Sequence, residues 1–345
     1  MTGRQVTAVP TLKDIAKLAQ VSKSTVSLAL AGDSRVSAET RDKIAGIAEQ
    51  LGYIPNRMAR GLSRARSQSL GVLFYGGLGN PLEDFFSDTL MGIGHEALQL
   101  GYNVVMLGFS RHTNGEHTDW TDQVIRSGVD GLIVISMSSP LYGFEKLLAM
   151  RFPIVFIGKR KVAGAPALKV NEVSSDHFGA GRAAADYLRG LGHSELAVVA
   201  PESASEWMEE RIHGFFSADR KLLQEMGDRV FYIPEEQTAV FSRMVTQGYT
   251  AYFAIAPYLG LSLLQALQQK GFRVPDDVSL LVYDDFPSAS LQRPPLTVLK
   301  QDMRSLGRLA FQRLIELIAD PEEEGKHILI SVSLLERNSC GPAHC

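Results

Sequence analysis

Cysteine is nearly absent: the 345-residue chain has two, Cys340 and Cys345, both within its last six residues. The disulfide framework of an extracellular fold needs more, spread along the chain. With His344 between them they make a poor metal site, because a chain end reading Cys-Gly-Pro-Ala-His-Cys is expected to fray. Long apolar runs are missing too. No stretch is long enough to span a membrane and no apolar signal core opens the chain, which predicts a cytoplasmic protein with no membrane partner. Catalytic signatures are also lacking: there is no Walker loop, no nucleophile elbow and no metal-spaced histidine cluster. His95, His112, His117, His177, His193 and His213 are scattered over predicted helices and loops. No enzymatic activity, cofactor or metal is expected. The small net charge of −3 argues against a polyanion binder acting with its whole surface.

The composition that remains is that of a globular protein, 45% hydrophobic and 21% charged, and its length suits two or three domains. The charge is unevenly placed. Residues 1–67 hold eleven Lys or Arg and five Asp or Glu, a net +6, so the remainder carries −9. A basic head on an acidic body concentrates phosphate attraction at one end.

That basic end has a pattern. Thr11 is placed to cap a helix, with Asp14 three residues on in capping-box position, and Leu12, Ile15, Ala16 and Ala19 share one face. Gln20-Val21 makes a turn and Ser22 caps a second short helix, Lys23 to Leu30, whose inward side carries Val26, Ala29 and Leu30. Two short helices locked this way read as a helix-turn-helix. The outward face of the second is Lys23, Ser24, Thr25, Ser27 and Leu28. Hydroxyls at helix N-termini, Thr11 and Ser22 included, suit phosphate oxygens. Lys23 and Ser24 are placed to reach base edges in a major groove. Ser37 caps a third helix with Ile44, Ile47, Ala48 and Leu51 inward. Gly52 and Pro55 end it, and Asn56 then caps a short helix-competent segment through Arg57, Ala59, Arg60 and Leu62.

From Leu70 onward, buried-strand patterns alternate with helical ones. The strands are predicted over 70–75, 104–107, 132–135, 154–157, 196–199, 230–233, 252–255 and 279–282, with helices over 84–100, 177–191 and 258–270. So many alternations suggest two doubly wound parallel sheets.

The runs TLKDIAKLA, VSKSTVS, RVSAETRDKI, LGYIPN and ARGL, in that order, resemble the lactose/galactose/purine repressor family of bacterial transcription factors. Asp176-His177-Phe178-Gly179-Ala180-Gly181, Arg211-Ile212-His213-Gly214-Phe215, Val282-Tyr283-Asp284-Asp285 and the run from Pro294 to Asp302 resemble further blocks of that family. The resemblance implies an all-α helix-turn-helix headpiece (1–53), a hinge helix and linker (54–67) and an α/β body like periplasmic binding proteins (68–345). That body would have two doubly wound lobes: one of 68–170 and 301–329, the other of 171–300 and 330–345.

The function implied is a repressor of sugar uptake or catabolism genes. It would bind a pseudo-palindromic double-stranded operator as a homodimer, or else as a tetramer, under control of a small sugar, sugar phosphate or related metabolite. The tail after Glu336 has no heptad pattern, which disfavours a coiled-coil tetramer. Asn56, Arg57, Ala59, Arg60 and Leu62 would form the hinge helix over the minor groove, Leu62 being either a wedge between base pairs or a linker residue packed on the body. Leu28 stands where many relatives have Arg or His; it is left either an apolar contact with a thymine methyl or a fold-back onto the headpiece. In the cleft, Asp284 and Arg211 would face each other and bridge a polyol, or pair when empty. Tyr75 and Trp207 are either stacking faces for a sugar ring or core. Gly158-Lys159-Arg160 and Ala256-Pro257 replace polar pairs common in relatives. The added cations around Lys159 suit a phosphorylated or acidic sugar, or else form a solvated loop. A DNA-binding regulator with no small-molecule effector, and a cytoplasmic ligand receptor, are the other readings.

Overall fold

A computed structural model describes residues 10–30, 32–53, 66–75, 83–110, 119–136, 142–158, 170–202, 205–234, 241, 244–245, 247–323 and 325–343. The chain divides into two compact units, 1–67 and 68–345.

The first unit is built on α1 (Leu12–Ala19), α2 (Lys23–Leu30) and α3 (Ala38–Gln50). Their inward residues Ile15, Ala19, Val26, Ala29, Val36, Ile44 and Ala48 close a small core, with Leu12, Ile47 and Leu51 packed at its margin. Each helix start is held by its own side chains. The Asp14 carboxylate accepts both the N–H and the hydroxyl of Thr11, at 2.8 and 2.7 Å. Ser22 Oγ accepts the Thr25 N–H at 3.0 Å, and Ser37 Oγ the Thr40 N–H at 3.3 Å. Gln20 turns the chain between α1 and α2 in the left-handed region, φ 58°.

The second unit has two six-stranded sheets. The first runs β11–β5–β4–β3–β1–β2 and is parallel throughout; the second runs β12–β10–β9–β8–β6–β7 and is parallel except for β12 against β10. In chain order the strands are β1 (Ser69–Tyr75), β2 (Asn103–Ser110), β3 (Gly131–Ser136), β4 (Ile154–Ile157), β5 (Asn171–Ser175), β6 (Leu196–Pro201), β7 (Val230–Ile233), β8 (Ala251–Ala254), β9 (Ser279–Tyr283), β10 (Thr297–Lys300), β11 (His327–Ile330) and β12 (Ser333–Leu335). The central strands are buried on both faces, as their unbroken apolar runs require, and a separate core lies on each face of each sheet.

The boundary between lobes differs from the expected one at residue 170. Asn171–Ser175 pairs with β4 and β11 and so belongs to the first lobe. This strand is short and mostly polar, and only its two ladder partners reveal it. The chain crosses between lobes after β5, after β10 and after β11, so strand C-termini of both lobes meet at the crossings. Over residues 339–343 the expected fraying is corrected; His344 and Cys345 lie outside the described residues. Ser339 Oγ donates to the Leu280 carbonyl (2.6 Å) and accepts the Thr297 N–H (2.8 Å), and the Ala343 N–H donates to the Leu191 carbonyl (2.8 Å). Cys340 donates its thiol to the Leu280 carbonyl, and burial pushes that thiol up to about 12.

Both lobes use the same device to bring two helices together. In the first, α4 (Glu83–Leu100) crosses the C-terminal helix Met303–Ala319, where a Cβ on Gly92 would collide with the Arg304 carbonyl and one on Gly307 with the Thr89 carbonyl. In the second, α5 (His177–Gly190) crosses α6 (Glu206–Phe216), where Gly181 meets the Arg211 carbonyl and Gly214 the Phe178 carbonyl. Backbones this close exclude any side chain at the crossing.

Candidate functional site

Two regions carry the candidate chemistry. On the headpiece, Lys23, Ser24 and Ser27 point into solvent and make no side-chain bond among the described residues, while Thr25 and Leu28 are half-buried. The hydroxyls of Thr11, Ser22 and Thr25 are engaged in capping. Leu28 packs against the headpiece core with part of its surface left outward. Lys13 and Lys17 on α1 are exposed as well, and sequence reasoning had not singled them out. Arg41 and Lys43 instead brace the unit, donating to the Gly32 and Ala19 carbonyls. Asn56, Arg57, Ala59, Arg60 and Leu62 lie outside the described residues.

In the body, the second sheet reverses its strand order between β6 and β8, and the crevice outside the C-terminal ends of these strands is where such sheets hold ligands. Five elements converge there, the ends of β8, β9 and β10 and the helices α5 and α6. Asp284 follows β9 with φ 73°, its N–H donating to the Leu299 carbonyl at 2.9 Å. A short polar side chain tolerates that left-handed backbone better than a branched one. Its carboxylate is buried and accepts Gln301 Nε2 at 2.6 Å. Burial raises its pKa, against the pull of Arg211.

Arg211 projects from α6 and is also buried. Nη1 donates to the Ile255 carbonyl at the end of β8 (2.7 Å), and Nε and Nη2 both face His177 Nδ1 at 3.3 Å. A ring nitrogen facing a guanidinium acts as acceptor, so the His177 proton sits on Nε2. His177 Nδ1 also lies 3.1 Å from the Tyr283 hydroxyl. The guanidinium carbon stands 3.2 Å from the Tyr283 ring centre and 4.3 Å from that of Trp207. Desolvation lowers the Arg211 pKa and raises that of Tyr283.

The expected Arg211–Asp284 pair across the cleft is not what the structure holds. Both residues rise from the second lobe, and no ion pair joins them, because Arg211 is drawn to His177 and Ile255 while Asp284 is held by Gln301. His177 and Tyr283 complete the cluster. His177 lay in the sequence as the second residue of an Asp-His helix start and Tyr283 as an apolar strand end, so their roles were not legible. Trp207 flanks Arg211, half-buried. Tyr75 ends β1, its side chain outside the described set, and Lys159 lies outside the described residues. Ala256 and Pro257 are buried at the start of the helix Pro257–Gln269 and bring no polar side chain to the crevice. Beside Gln301 opens a cavity of about 280 Å³, lined by Asp88 and Met303 from the first lobe and Asp285, Phe286, Lys300 and Arg337 from the second.

A helix-turn-helix unit joined to a two-lobed body with a buried polar site at its strand ends defines a DNA-binding protein with a small-molecule receptor attached. Residues 11–56 match the model of bacterial regulatory proteins of the lacI family, and residues 185–340 that of the periplasmic binding protein-like domain. The chain thus carries the two domains of LacI-type regulators, a lacI-family helix-turn-helix and a periplasmic binding protein-like domain. It is 28% identical over 340 residues to the probable HTH-type transcriptional repressor ExuR of Bacillus subtilis (95% of this chain, 98% of the relative). It is 26% identical over 337 residues to the HTH-type transcriptional repressor CytR of Escherichia coli K12 (95% and 94%). Among solved structures, it resembles the Lac repressor dimer bound to operator and the anti-inducer ONPF, at a TM-score of 0.75 and 27% identity (96% and 99% covered). The transcriptional regulator CelR–cellobiose complex follows at 0.65 and 27% (96% and 99%).

Proposed function

We propose that this protein is a transcriptional repressor that binds a pseudo-palindromic operator as a homodimer and changes its operator affinity when a small metabolite enters the crevice of its body. It works in the cytoplasm, where its DNA is, and carries out no catalysis. The observation that carries this reading is the joining, in one chain, of two separate pieces of chemistry. One is a helix-turn-helix whose second helix offers Lys23, Ser24 and Ser27 outward. The other is a buried Arg211–His177–Asp284–Gln301 site at the switch point of a parallel sheet. The relatives' names as repressors, and the cellobiose and ONPF of the two similar structures, support both halves.

Lys23 and Ser24 read bases, Ser27 and the free N–H groups at the start of α2 take phosphates, and the part of Leu28 left exposed makes apolar contact. A headpiece of this size buries too little surface to select one genomic site, so two must act together. The face that pairs them is on α4. Met91 and Leu98, seven residues apart on one stripe, are 61% and 80% exposed. A second copy of this chain covers them, and the segment from Asn56 to Leu62 then forms paired hinges on the DNA. Ligand in the crevice changes the lobe arrangement, and operator and effector shift one another's affinity by one common factor.

The test is selection from a random duplex library followed by anisotropy titration of the selected duplex. The native protein is expected to enrich a two-fold-symmetric site, and Lys23→Ala to weaken it by about ten- to a hundredfold. Binding that follows salt alone and favours no sequence would refute it. The reading without an effector draws on the apolar Ala256–Pro257 corner; it predicts a selected duplex whose affinity no small molecule moves.

A further inference from the structure

The second helix of the headpiece, α2, is lightly gripped. Of its eight residues only Val26 and Ala29 are buried, two small side chains that give little apolar area to fix its tilt. Two turns flank it. The one before α2 passes through Gln20 at φ 58° and the one after it through Gly32 at φ 75°. Each turn leaves a carbonyl, that of Ala19 and that of Gly32, which no backbone N–H reaches among the described residues. A cation from α3 fills each of them. Lys43 Nζ donates to the Ala19 carbonyl at 3.1 Å, where the end of α1 favours positive charge, and Arg41 Nη1 donates to the Gly32 carbonyl at 3.4 Å. Lys43 is anchored by its neighbour Ile44, which is fully buried in the headpiece core. Arg35 is likewise committed, paired with Asp33 at 2.8 Å. Lys13, Lys17 and Lys23 differ: they are exposed and form no side-chain hydrogen bond or ion pair among the described residues.

We propose that Lys43 is a positioning residue for operator reading: together with Arg41 it holds the two ends of α2, sets how Lys23 and Ser24 meet base edges, and takes no phosphate itself. This rests on the DNA-binding reading above and divides the headpiece cations into two sets with different signatures. A cation that meets a phosphate releases counter-ions, so its loss flattens the salt dependence for every sequence alike. A cation held by a carbonyl releases none. Its loss lets α2 shift, and the hydrogen bonds to base edges weaken because they depend on direction. Binding to the chosen sequence then falls, while binding to other sequences and the salt slope stay as they were. Lys43 is the stronger of the two braces. Its bond is the shorter, and it acts at the end of α2 that carries Lys23 and Ser24.

The experiment uses the full-length protein with two probes, the duplex it selects from a random library and an unrelated duplex of equal length, titrated by anisotropy over a series of salt concentrations. Lys43→Met is expected to bind the selected duplex about tenfold more weakly, and to leave the affinity for the unrelated duplex and both salt slopes unchanged. Lys43→Arg, which keeps a charged donor of similar reach, is expected to restore the selectivity. Arg41→Met, which leaves Lys43 in place, is expected to show the same pattern more weakly, and it stands as the test where Lys43→Met folds poorly. A salt slope shallower by about one per headpiece, with both duplexes weakened, would make Lys43 a phosphate contact and overturn the inference. Equal weakening of both duplexes with a lower melting temperature would make it a residue of the headpiece core alone, and an unchanged affinity for the selected duplex would show that the brace positions nothing; either result overturns the inference and leaves DNA binding standing. A native protein that selects no duplex removes the DNA-binding reading itself, and the inference with it.

Discussion

Asp284 has two demands on it at once. In its proposed role as a ligand group it has to sit in a dry site; as a carboxylate it is destabilised by that dryness, and burial raises its pKa. The folded chain therefore holds the Asp284 proton to higher pH than the unfolded chain does. Stability contributed by this group is full below the unfolded value and is lost as pH rises through the interval up to the folded one. Asp284→Asn stays neutral, keeps an acceptor for Gln301 and suits a positive φ. Its ligand-free form is expected to melt above the native protein at pH 7, with the difference shrinking as the pH is lowered toward the ordinary carboxylate range. It is also expected to lose its response to effector. A variant that melts lower at neutral pH would mean that the attraction of Arg211, not desolvation, dominates at this residue. Such a trade of stability for binding is common where a polar group is buried to meet a ligand.

At the scale of elements, the placing of Arg211 depends on a crossing with no room for a methyl group. Gly214 lies against the Phe178 carbonyl and Gly181 against the Arg211 carbonyl, so the α5–α6 spacing fixes how far the guanidinium reaches toward His177. Gly214→Ala is expected to force those helices apart at about 1–3 kcal/mol and to weaken effector binding as well. Gly307→Ala, at the equivalent crossing of the first lobe, is expected to cost about as much stability while sparing the ligand affinity. Melting curves and calorimetry on both variants separate the two effects; equal loss of ligand affinity in both would show that the crossing does not set the site. Much of this layout was legible beforehand. Apolar runs marked most central strands, and the Arg-x-x-Gly and Tyr-Asp-Asp runs pointed to Arg211 and Asp284. What was not legible was direction. Neither spacing nor composition shows that α6 turns Arg211 toward His177 and away from Asp284. The polar strand Asn171–Ser175 carries no apolar pattern because it is recognised through β4 and β11. The docking of the tail to Ala343 rests on Ser339, a residue that on its own reads as loop.

For the whole molecule, the proposed reading couples the basic head to the acidic body by holding two copies in register. Leu98→Glu places a charge on the exposed stripe of α4 and touches none of the buried cores. Sedimentation is expected to show a monomer, with operator affinity reduced at least a hundredfold and a shallower dependence on salt, as fewer phosphates are met per complex. A variant that remains dimeric would place the pairing surface elsewhere. In the proposed reading, operator and effector are linked through one chain. The most direct measurement is operator affinity of the native protein and of Asp284→Asn, by anisotropy at one fixed salt concentration, with and without the tightest-binding small molecule. The expected result is a change of about five- to 150-fold in the native protein and none in the variant. An affinity that the small molecule leaves unmoved in the native protein, although the molecule demonstrably binds, would contradict it.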